Sequence, residues 1–531
     1  MSRNILKSLA TVSDMTMVSR VLGFVRQILI AGVIGAGGNP VADAFWAAFR
    51  LPNMFRRLFA EGAFHAAFIP LFQGKRNDGG DAAAKEFAEE VLTGLIFILT
   101  LLTALVEIAA PFFVYLIAGG FASEPDKFAL TTLYTRIMFP YLMMMSLVGL
   151  LSGILNSLGR FAASASAPLA LNLCLITAIL LYSQSGEEVT GQAAAWAVFV
   201  GGVLQLLLVL VGAARQGYLL RLRWPRLTPG VKRMLALGLP GFVSAGAVQI
   251  NLISGTNIAS REPGAVSWLM NADQLYQLPL AVIGIALAVV LLPMLSQRVK
   301  AGDEAGAARA LDRSLEISAL LSFPAAAAFI AMGVPICDAL FRDLATDALS
   351  LFGSMQSRFT LRDAQMTGAA LGIFGWGLPA FIFHKIFSPA YFAREDTKTP
   401  MRFALIAIAI NTVLALALFP HFGFLAVAFA TVLAAWIQVA LLGFELNKRG
   451  LFKPGAVLIG KLFRIVVASG ALAVFLSMAM THVDRVSDFL WGRYWLAVVS
   501  VSAAGFVIYA ITAAAVGAAR PSDYKSLLSR R

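Results

Sequence analysis

Apolar runs of about twenty residues recur along this 531-residue chain, broken by short polar stretches. A run of that length crosses the roughly 30 Å hydrocarbon core of a bilayer as a helix. The pattern predicts fourteen spans, over residues 15–35, 42–72, 91–117, 132–155, 167–183, 193–213, 234–258, 268–295, 315–340, 367–387, 401–419, 424–446, 459–480 and 489–516. The predicted fold class is an all-α polytopic membrane protein.

Composition agrees. Hydrophobic residues make up 59% of the chain and charged residues 13%, and mean hydropathy is +0.79. A soluble domain of this size needs far more polar surface. No cleavable signal peptide is expected, because Asp14, Arg20 and Arg26 interrupt the first apolar stretch. The net charge of +13 gathers in alternate loops. Loops after even-numbered spans carry groups such as Lys75, Arg76 and Lys85, or Arg215, Arg221, Arg223, Arg226, Lys232 and Arg233; most loops after odd-numbered spans carry little positive charge. Positive-inside then places both termini in the cytoplasm and makes nucleic acid an unneeded partner. Cys174 and Cys337 lie in apolar spans, and His65, His384, His421 and His482 show no ligand spacing, so no metal site or cofactor is expected.

A faint repeat runs through the chain. Phe68-Ile-Pro70 leads through a basic loop to Gly80-Asp81 and an Ala-rich stretch; Leu291-Leu-Pro293 leads likewise to Gly302-Asp303. Gly159-Arg160 with Pro168 is echoed by Ala393-Arg394 with Pro400. Matching elements lie six spans apart on the same side, the pattern of parallel repeats. This predicts two pseudo-symmetric six-helix lobes, residues 1–222 and 223–453, plus two C-terminal helices and a tail in 454–531.

Charges inside the spans are the candidate chemistry. Arg20 and Arg26 share the first span, about 120° apart on a helical wheel, with Gly23 between them. Guanidinium stays charged and is costly in lipid, so both point to a polar cavity that admits an anion. The second span adds Asp43, Arg50, Pro52, Asn53, Arg56, Arg57 and Glu61. Asn53, Arg56 and Arg57 share a face, Arg57 and Glu61 are spaced to pair, and Asp43 stands at the outer mouth to hold an arginine or gate it. The eighth span carries Ser267 and a stripe of Asn271, Gln274 and Gln277, read as a cavity wall. Glu107 and Lys385 are lone ionisable groups without an assigned role. Asn172, Gln205, Gln249 and Asn251 read as interhelical hydrogen bonds.

These residues resemble a known family. Ser19-Arg20-Val-Leu-Gly23-Phe-Val-Arg26, Ala42-Asp43-Ala-Phe45 and Leu51-Pro52-Asn53-Met-Phe-Arg56-Arg57-Leu-Phe-Ala60-Glu61-Gly62 look like the opening of the MurJ (MviN) family of lipid II flippases. Val266-Ser267-Trp268, Ala272-Asp273 and Ala393-Arg394-Glu395-Asp396-Thr397-Lys398-Thr399-Pro400 look like its later signatures. The resemblance implies the fold of the multidrug/oligosaccharidyl-lipid/polysaccharide exporter superfamily, with the two extra helices forming a groove for a lipid tail. It implies the bacterial inner membrane as location, and lipid II (undecaprenyl-pyrophosphate-linked disaccharide-pentapeptide) as cargo for peptidoglycan synthesis. Membrane lipids and the cell-wall synthesis machinery are the implied partners. It makes Arg20, Arg26 and Arg56 cavity arginines and Asp43, Asn53 and Ser267 further functional positions. Two departures stand out: Gln274 replaces an arginine common in the family, and the seventh span lacks the carboxylate expected of a sodium site.

The expected activity is therefore transport by alternating access, with Arg26 and Arg56 gripping phosphates, Arg20 assisting, and Asn53, Ser267 and Gln274 hydrogen-bonding the headgroup. No nucleophile–base set marks an enzyme. A flippase for another undecaprenyl-pyrophosphate-linked oligosaccharide has the same physics. A drug/cation antiporter of this fold calls for an acidic cavity instead. Whether membrane potential or an ion drives the cycle is open at this stage.

Overall fold

The computed structural model describes residues 3–37, 39–59, 63–353 and 356–519, apart from the side chains of 3–14, 57–59, 63, 240–245, 247, 248 and 285. It is helical throughout, with no strand among the described residues. In chain order the helices are α1 (Arg3–Ile34), α2 (Pro40–Phe59), α3 (Ala63–Ile108), α4 (Ala110–Ala118), α5 (Pro125–Met138), α6 (Tyr141–Ser157), α7 (Ala162–Tyr182), α8 (Glu187–Ala214) and α9 (Pro229–Ala259). There follow α10 (Ala265–Pro279), α11 (Ala286–Lys300), α12 (Glu304–Cys337), α13 (Leu344–Ser350), α14 (Leu361–Phe392), α15 (Lys398–Phe422), α16 (Leu425–Lys448), α17 (Ala456–Met480), α18 (Val483–Phe489) and α19 (Tyr494–Ala515).

Twelve segments among the described residues are long and apolar enough to span a bilayer. The 20-residue α2 and 31-residue α9 add two of sufficient length. The total agrees with the fourteen expected from the sequence. The expected second span, 42–72, falls on α2 to Phe59 and on α3 from Ala63, with 60–62 outside the described residues. One boundary differs. The expected outer loop from 341 stays helical to Ser350, through a π-helical turn at Asp338–Asp343 just after Pro335. A second π-helical turn, Leu280–Ile285, follows Pro279 and joins α10 to α11. Proline takes a donor out of the helical ladder, so a shifted bonding pattern next to it is expected.

The chain forms two compact units: residues 1–266 with 348–358, and residues 267–347 with 359–531. In the first, Asn39 caps α2 by accepting from Val41 N at 2.8 Å and Ala42 N at 3.2 Å, with Pro40 at the first helical position. Its core contains a cluster of stacked rings in which Phe64, Phe72 and Phe87 each lie on Phe68, with centroids 5.5–5.8 Å apart. In the second, Gly333 and Gly368 let α12 and α14 touch backbone to backbone. A Cβ on Gly368 would stand 2.5 Å from Val334 N, the small-residue contact favoured between helices in lipid. The last two spans dock on α12: Lys461 Nζ on α17 meets Glu316 Oε1 at 2.7 Å, and Tyr509 OH on α19 donates to the Leu320 carbonyl at 2.8 Å.

Turn geometry supports the repeat. Gly80 and Gly302 adopt φ of 72° and 73°, Gly159 and Glu395 73° and 59°, Gly186 and Gly423 93° and 55°, Gly217 and Gly450 82° and 72°. Each pair lies six spans apart. Left-handed residues are confined to a few sites that a helix end requires, so four matched pairs argue for one ancestral plan used twice. They also refine the register: Arg160 N bonds the Leu155 carbonyl as Asp396 N bonds that of Tyr391, so Gly159 matches Glu395 rather than Ala393.

Candidate functional site

In the first unit, Arg26 stands on α1 about two turns before its end. Its Nη1 donates to Asn172 Oδ1 on α7 at 2.9 Å, and Asn172 Nδ2 donates to the Ser19 carbonyl at 3.1 Å. One amide thus holds the guanidinium and its helix together. Gly23 lies beside the same amide, where a Cβ would make only an ordinary contact, 3.7 Å from Asn172 Nδ2. Arg26 Nε is buried without a hydrogen-bond partner in the protein. A guanidinium carries five N–H donors, so this one retains capacity for an anion. Arg20 is exposed, as its different angle on the wheel requires.

On α2, Arg56 Nε donates to Asn53 Oδ1 at 2.9 Å, and both residues are half-buried, which fits the shared face expected for them. Arg50 behaves differently. Its guanidinium bonds the Thr256 hydroxyl and, at 3.3 Å, the Leu252 carbonyl, fastening α2 to α9. The Arg57 side chain and Glu61 lie outside the described residues.

Asp43 is fully buried. It accepts from Gly264 N at 2.7 Å and faces Lys127 Nζ at 3.0 Å. The sequence suggested that this carboxylate holds an arginine or gates the outer mouth; the structure places a lysine from α5 beside it. Lys127 is itself buried, 4.5 Å from the Phe121 ring centroid and 3.5 Å from Glu124. It escaped the sequence reading because it stands among loop-like neighbours. The available signal was a lone lysine on the side of the membrane where positive charge is scarce.

In the second unit, Ser267 and Asn271 are fully buried, whereas Gln274 and Gln277 are half-buried. The expected stripe therefore divides along α10. Gln277 bonds Asp273 one turn earlier, and Tyr276 rests on Phe374 and Phe381 with centroids 4.8 and 5.2 Å away. Trp268 Nε1 donates at 2.7 Å to Asp363, which also accepts from Thr360 N and Oγ1 at 2.8 Å in a capping box at the start of α14.

Other polar expectations resolve individually. Glu107 is half-buried beside Arg136, whose Nε donates to the Glu107 carbonyl at 3.2 Å. Lys385 is exposed, with its stem against Gly284 in the π-helical turn. Asn172 makes the interhelical bonds described above, but Gln205 donates to Gly201 in its own helix at 3.2 Å. The signature around Asp396 is a loop clamp: this carboxylate accepts from Thr399 N at 3.0 Å, Thr399 Oγ1 at 2.7 Å and Arg449 Nη1 at 2.7 Å. Burial alone would raise its pKa; the Thr399 and Arg449 bonds overcome that and hold it at about 2.

The comparison with known proteins is consistent along the chain. The family model described as "Lipid II flippase MurJ" matches residues 30–499. The probable lipid II flippase MurJ of Rhizobium meliloti (strain 1021) is 44% identical over 480 residues, covering 90% of this chain and 87% of that one. The lipid II flippase MurJ of Burkholderia cenocepacia is 35% identical over 486 residues, covering 91% of each. Among solved structures, a lipid II flippase MurJ in an inward closed conformation superposes with a TM-score of 0.75 at 22% identity, covering 97% of this chain and 99% of that one. An inward-facing multidrug resistance MATE family transporter of the MOP superfamily superposes at 0.62 and 15% identity, covering 83% and 98%. The two structural matches establish a shared fold. From the family match and the sequence identities, the chain belongs to the MurJ family of lipid II flippases, multi-pass inner-membrane transporters rather than enzymes.

Proposed function

We propose that this protein moves lipid II from the inner to the outer leaflet of the bacterial cytoplasmic membrane by alternating access. The substrate is taken from the names of its relatives. The residue-level reading rests on Arg26: a cation in the first span, braced by Asn172, with a buried N–H donor that the protein leaves unused. Arg26 and Arg56 bind the pyrophosphate, because the guanidinium fork matches phosphate oxygens in a way a point charge does not. Arg20 assists at the entrance. Asn53 orients Arg56, and Gln274 bonds the sugar or peptide. Ser267 and Asn271 hold the start of α10, while Gln277 is steadied by Asp273. Asp43 fixes the outer end of α2. Arg57 and Glu61 extend the polar face of that region.

The working lobes in this reading are residues 1–222 and 223–453, with 454–531 serving the lipid tail, and both termini cytoplasmic. The tail stays in lipid throughout, so only the headgroup needs a polar path. Potential contributes about 2.3 kcal/mol per charge per 100 mV. An inside-negative membrane therefore drives an anionic headgroup outward, or returns an empty cationic cavity inward.

Depletion of the protein tests the assignment. Cells without it should accumulate lipid II in the inner leaflet and then lyse; continued wall synthesis, with no second flippase present, rejects it. Arg26→Ala tests the site. The variant should insert normally and fail to restore growth, and full complementation by it removes the arginine from the mechanism.

A further inference from the structure

An apolar groove of about 730 Å³ opens on the first unit, away from Arg26 and Arg56 in sequence and lined by different helices. One wall is α3, with Val91, Gly94, Leu95, Phe97 and Ile98; the other is α9, with Val231, Met234, Leu235 and Leu239; the segment 224–227 closes the end. Large apolar side chains on both walls face outward, Phe97 51% and Leu239 61% exposed. On a membrane helix such residues meet acyl chains.

Both walls change character at one level. On α3 the acidic run Glu86, Glu89, Glu90 gives way to Val91; on α9 the basic pair Lys232, Arg233 gives way to Met234. The two changes mark the boundary between headgroups and hydrocarbon. Trp224, 82% exposed, stands at that boundary, where tryptophan prefers to sit. The segment is fixed from its inner side. Arg223 Nε meets Glu89 Oε2 at 2.7 Å, Arg223 N donates to Thr93 Oγ1 at 3.0 Å, and Thr228 Oγ1 donates to Glu90 Oε2 at 2.7 Å. Those bonds occupy Arg223 and the acidic side chains. Arg226, Lys232 and Arg233 are exposed at the rim and, among the described residues, enter no salt bridge. The groove thus combines an apolar trough, an interfacial tryptophan and three uncommitted cations, on the side that the loop charges assign to the cytoplasm.

We infer that this groove binds an anionic phospholipid of the inner leaflet, with an acyl chain between α3 and α9 and its phosphate among Arg226, Lys232 and Arg233. The occupant is a resident lipid rather than cargo. Its cations lie at the headgroup level, whereas transport requires a headgroup to reach arginines inside the spans. A lipid bound here would brace the outer face of a segment that Glu86, Glu89 and Glu90 already hold from within. Basic residues beside a membrane attract anionic lipid by about a factor of five each.

The test uses the full-length protein in detergent, titrated with dioleoyl-phosphatidylglycerol or dioleoyl-phosphatidylcholine and read by native mass spectrometry. The expected result is a single tight phosphatidylglycerol, with phosphatidylcholine far weaker. Replacing Arg226, Lys232 and Arg233 together by glutamine should weaken phosphatidylglycerol about a hundredfold. Gly94→Phe provides the second arm. Nothing lies within 4 Å of a Cβ built at Gly94, so the ring would fill the trough without disturbing the helix. It should abolish the tight site while leaving every rim cation in place. Three results overturn the proposal: equal binding of the two lipids, phosphatidylglycerol retained by Gly94→Phe, which leaves only surface attraction, or displacement by undecaprenyl phosphate, which makes the groove a site for the cargo's tail.

Discussion

The two units solve the same two fastening problems with opposite chemistry. At the end that the loop charges assign to the outside, spans two and four of the first unit are joined by a buried ion pair, Asp43 with Lys127. Spans eight and ten of the second are joined at the matching place by a neutral donor, Trp268, on Asp363. At the opposite end, assigned to the inside by the same loop charges, the order reverses. The loop after span four meets the end of span six through Arg160 Nε and Gln216 Oε1 at 3.2 Å, whereas the loop after span ten meets the end of span twelve through Asp396 and Arg449. A repeat preserves where helices must be tied more strictly than what ties them. The cost of a broken tie should follow its burial and charge.

The outer ties should show the largest contrast. Lys127→Met leaves a buried carboxylate without this cation and should destabilise the protein by about 3–5 kcal/mol. Trp268→Phe removes one donor from a carboxylate that keeps both bonds from Thr360, and should cost about 1.5–3 kcal/mol. Thermal unfolding in detergent measures both. Adding Asp43→Asn to Lys127→Met should recover much of the loss. Equal costs for the two single variants would end the contrast.

Transport gives the next contrast. The second span offers charged donors and the eighth offers amides at the half-buried positions. A hydrogen bond to a charged group contributes about 1.5–3 kcal/mol and a neutral one about 0.5–1.5 kcal/mol. Arg56→Ala should therefore abolish complementation, while Gln274→Ala should lower the lipid II flipping rate by less than about tenfold. A Gln274→Ala defect as deep as that of Arg56→Ala would shift the anion site towards the second unit.

The inner ties separate by pH. The Asp396 pKa lies at about 2 in the folded protein, against about 3.9 for an unperturbed aspartate. A depressed folded pKa adds stability above the unfolded value, which is lost as pH falls through the folded one. The Asp396–Arg449 contribution is thus complete above about pH 4 and disappears towards pH 2. The stability difference between the parent protein and Asp396→Asn should shrink across that window. The same comparison for Gln216→Ala, which opens the Arg160 tie, should stay flat.

These contrasts also show what the sequence carried. Helix number, the repeat and the arginine-bearing spans were legible because charge and proline are conspicuous in apolar runs. Asp43 was visible for the same reason, but Lys127 was hidden: a cation beside a helix start looks solvated until the fold buries it. Gln205 was read as a tie between helices because sequence cannot tell a side chain reaching across from one reaching back to its own helix. The π-helical turn at Leu280–Ile285 sits inside an apolar run whose pattern gives no sign of it.

The smallest effect probes the repeat itself. Gly159 and Glu395 hold the same left-handed place after their helices, but only glycine adopts it without strain. No atom lies within 4 Å of a Cβ on Gly159, so Gly159→Ala should pay for backbone conformation alone, about 1 kcal/mol. Glu395→Gly should move the other way. It relieves about 1–2 kcal/mol of left-handed strain and returns about 0.5–1 kcal/mol through the freer unfolded chain, a net gain of up to about 1.5 kcal/mol. Opposite signs at two matched turns require a common backbone plan; destabilisation at both would mean that the Glu395 side chain holds the Asp396 clamp in place by its own contacts.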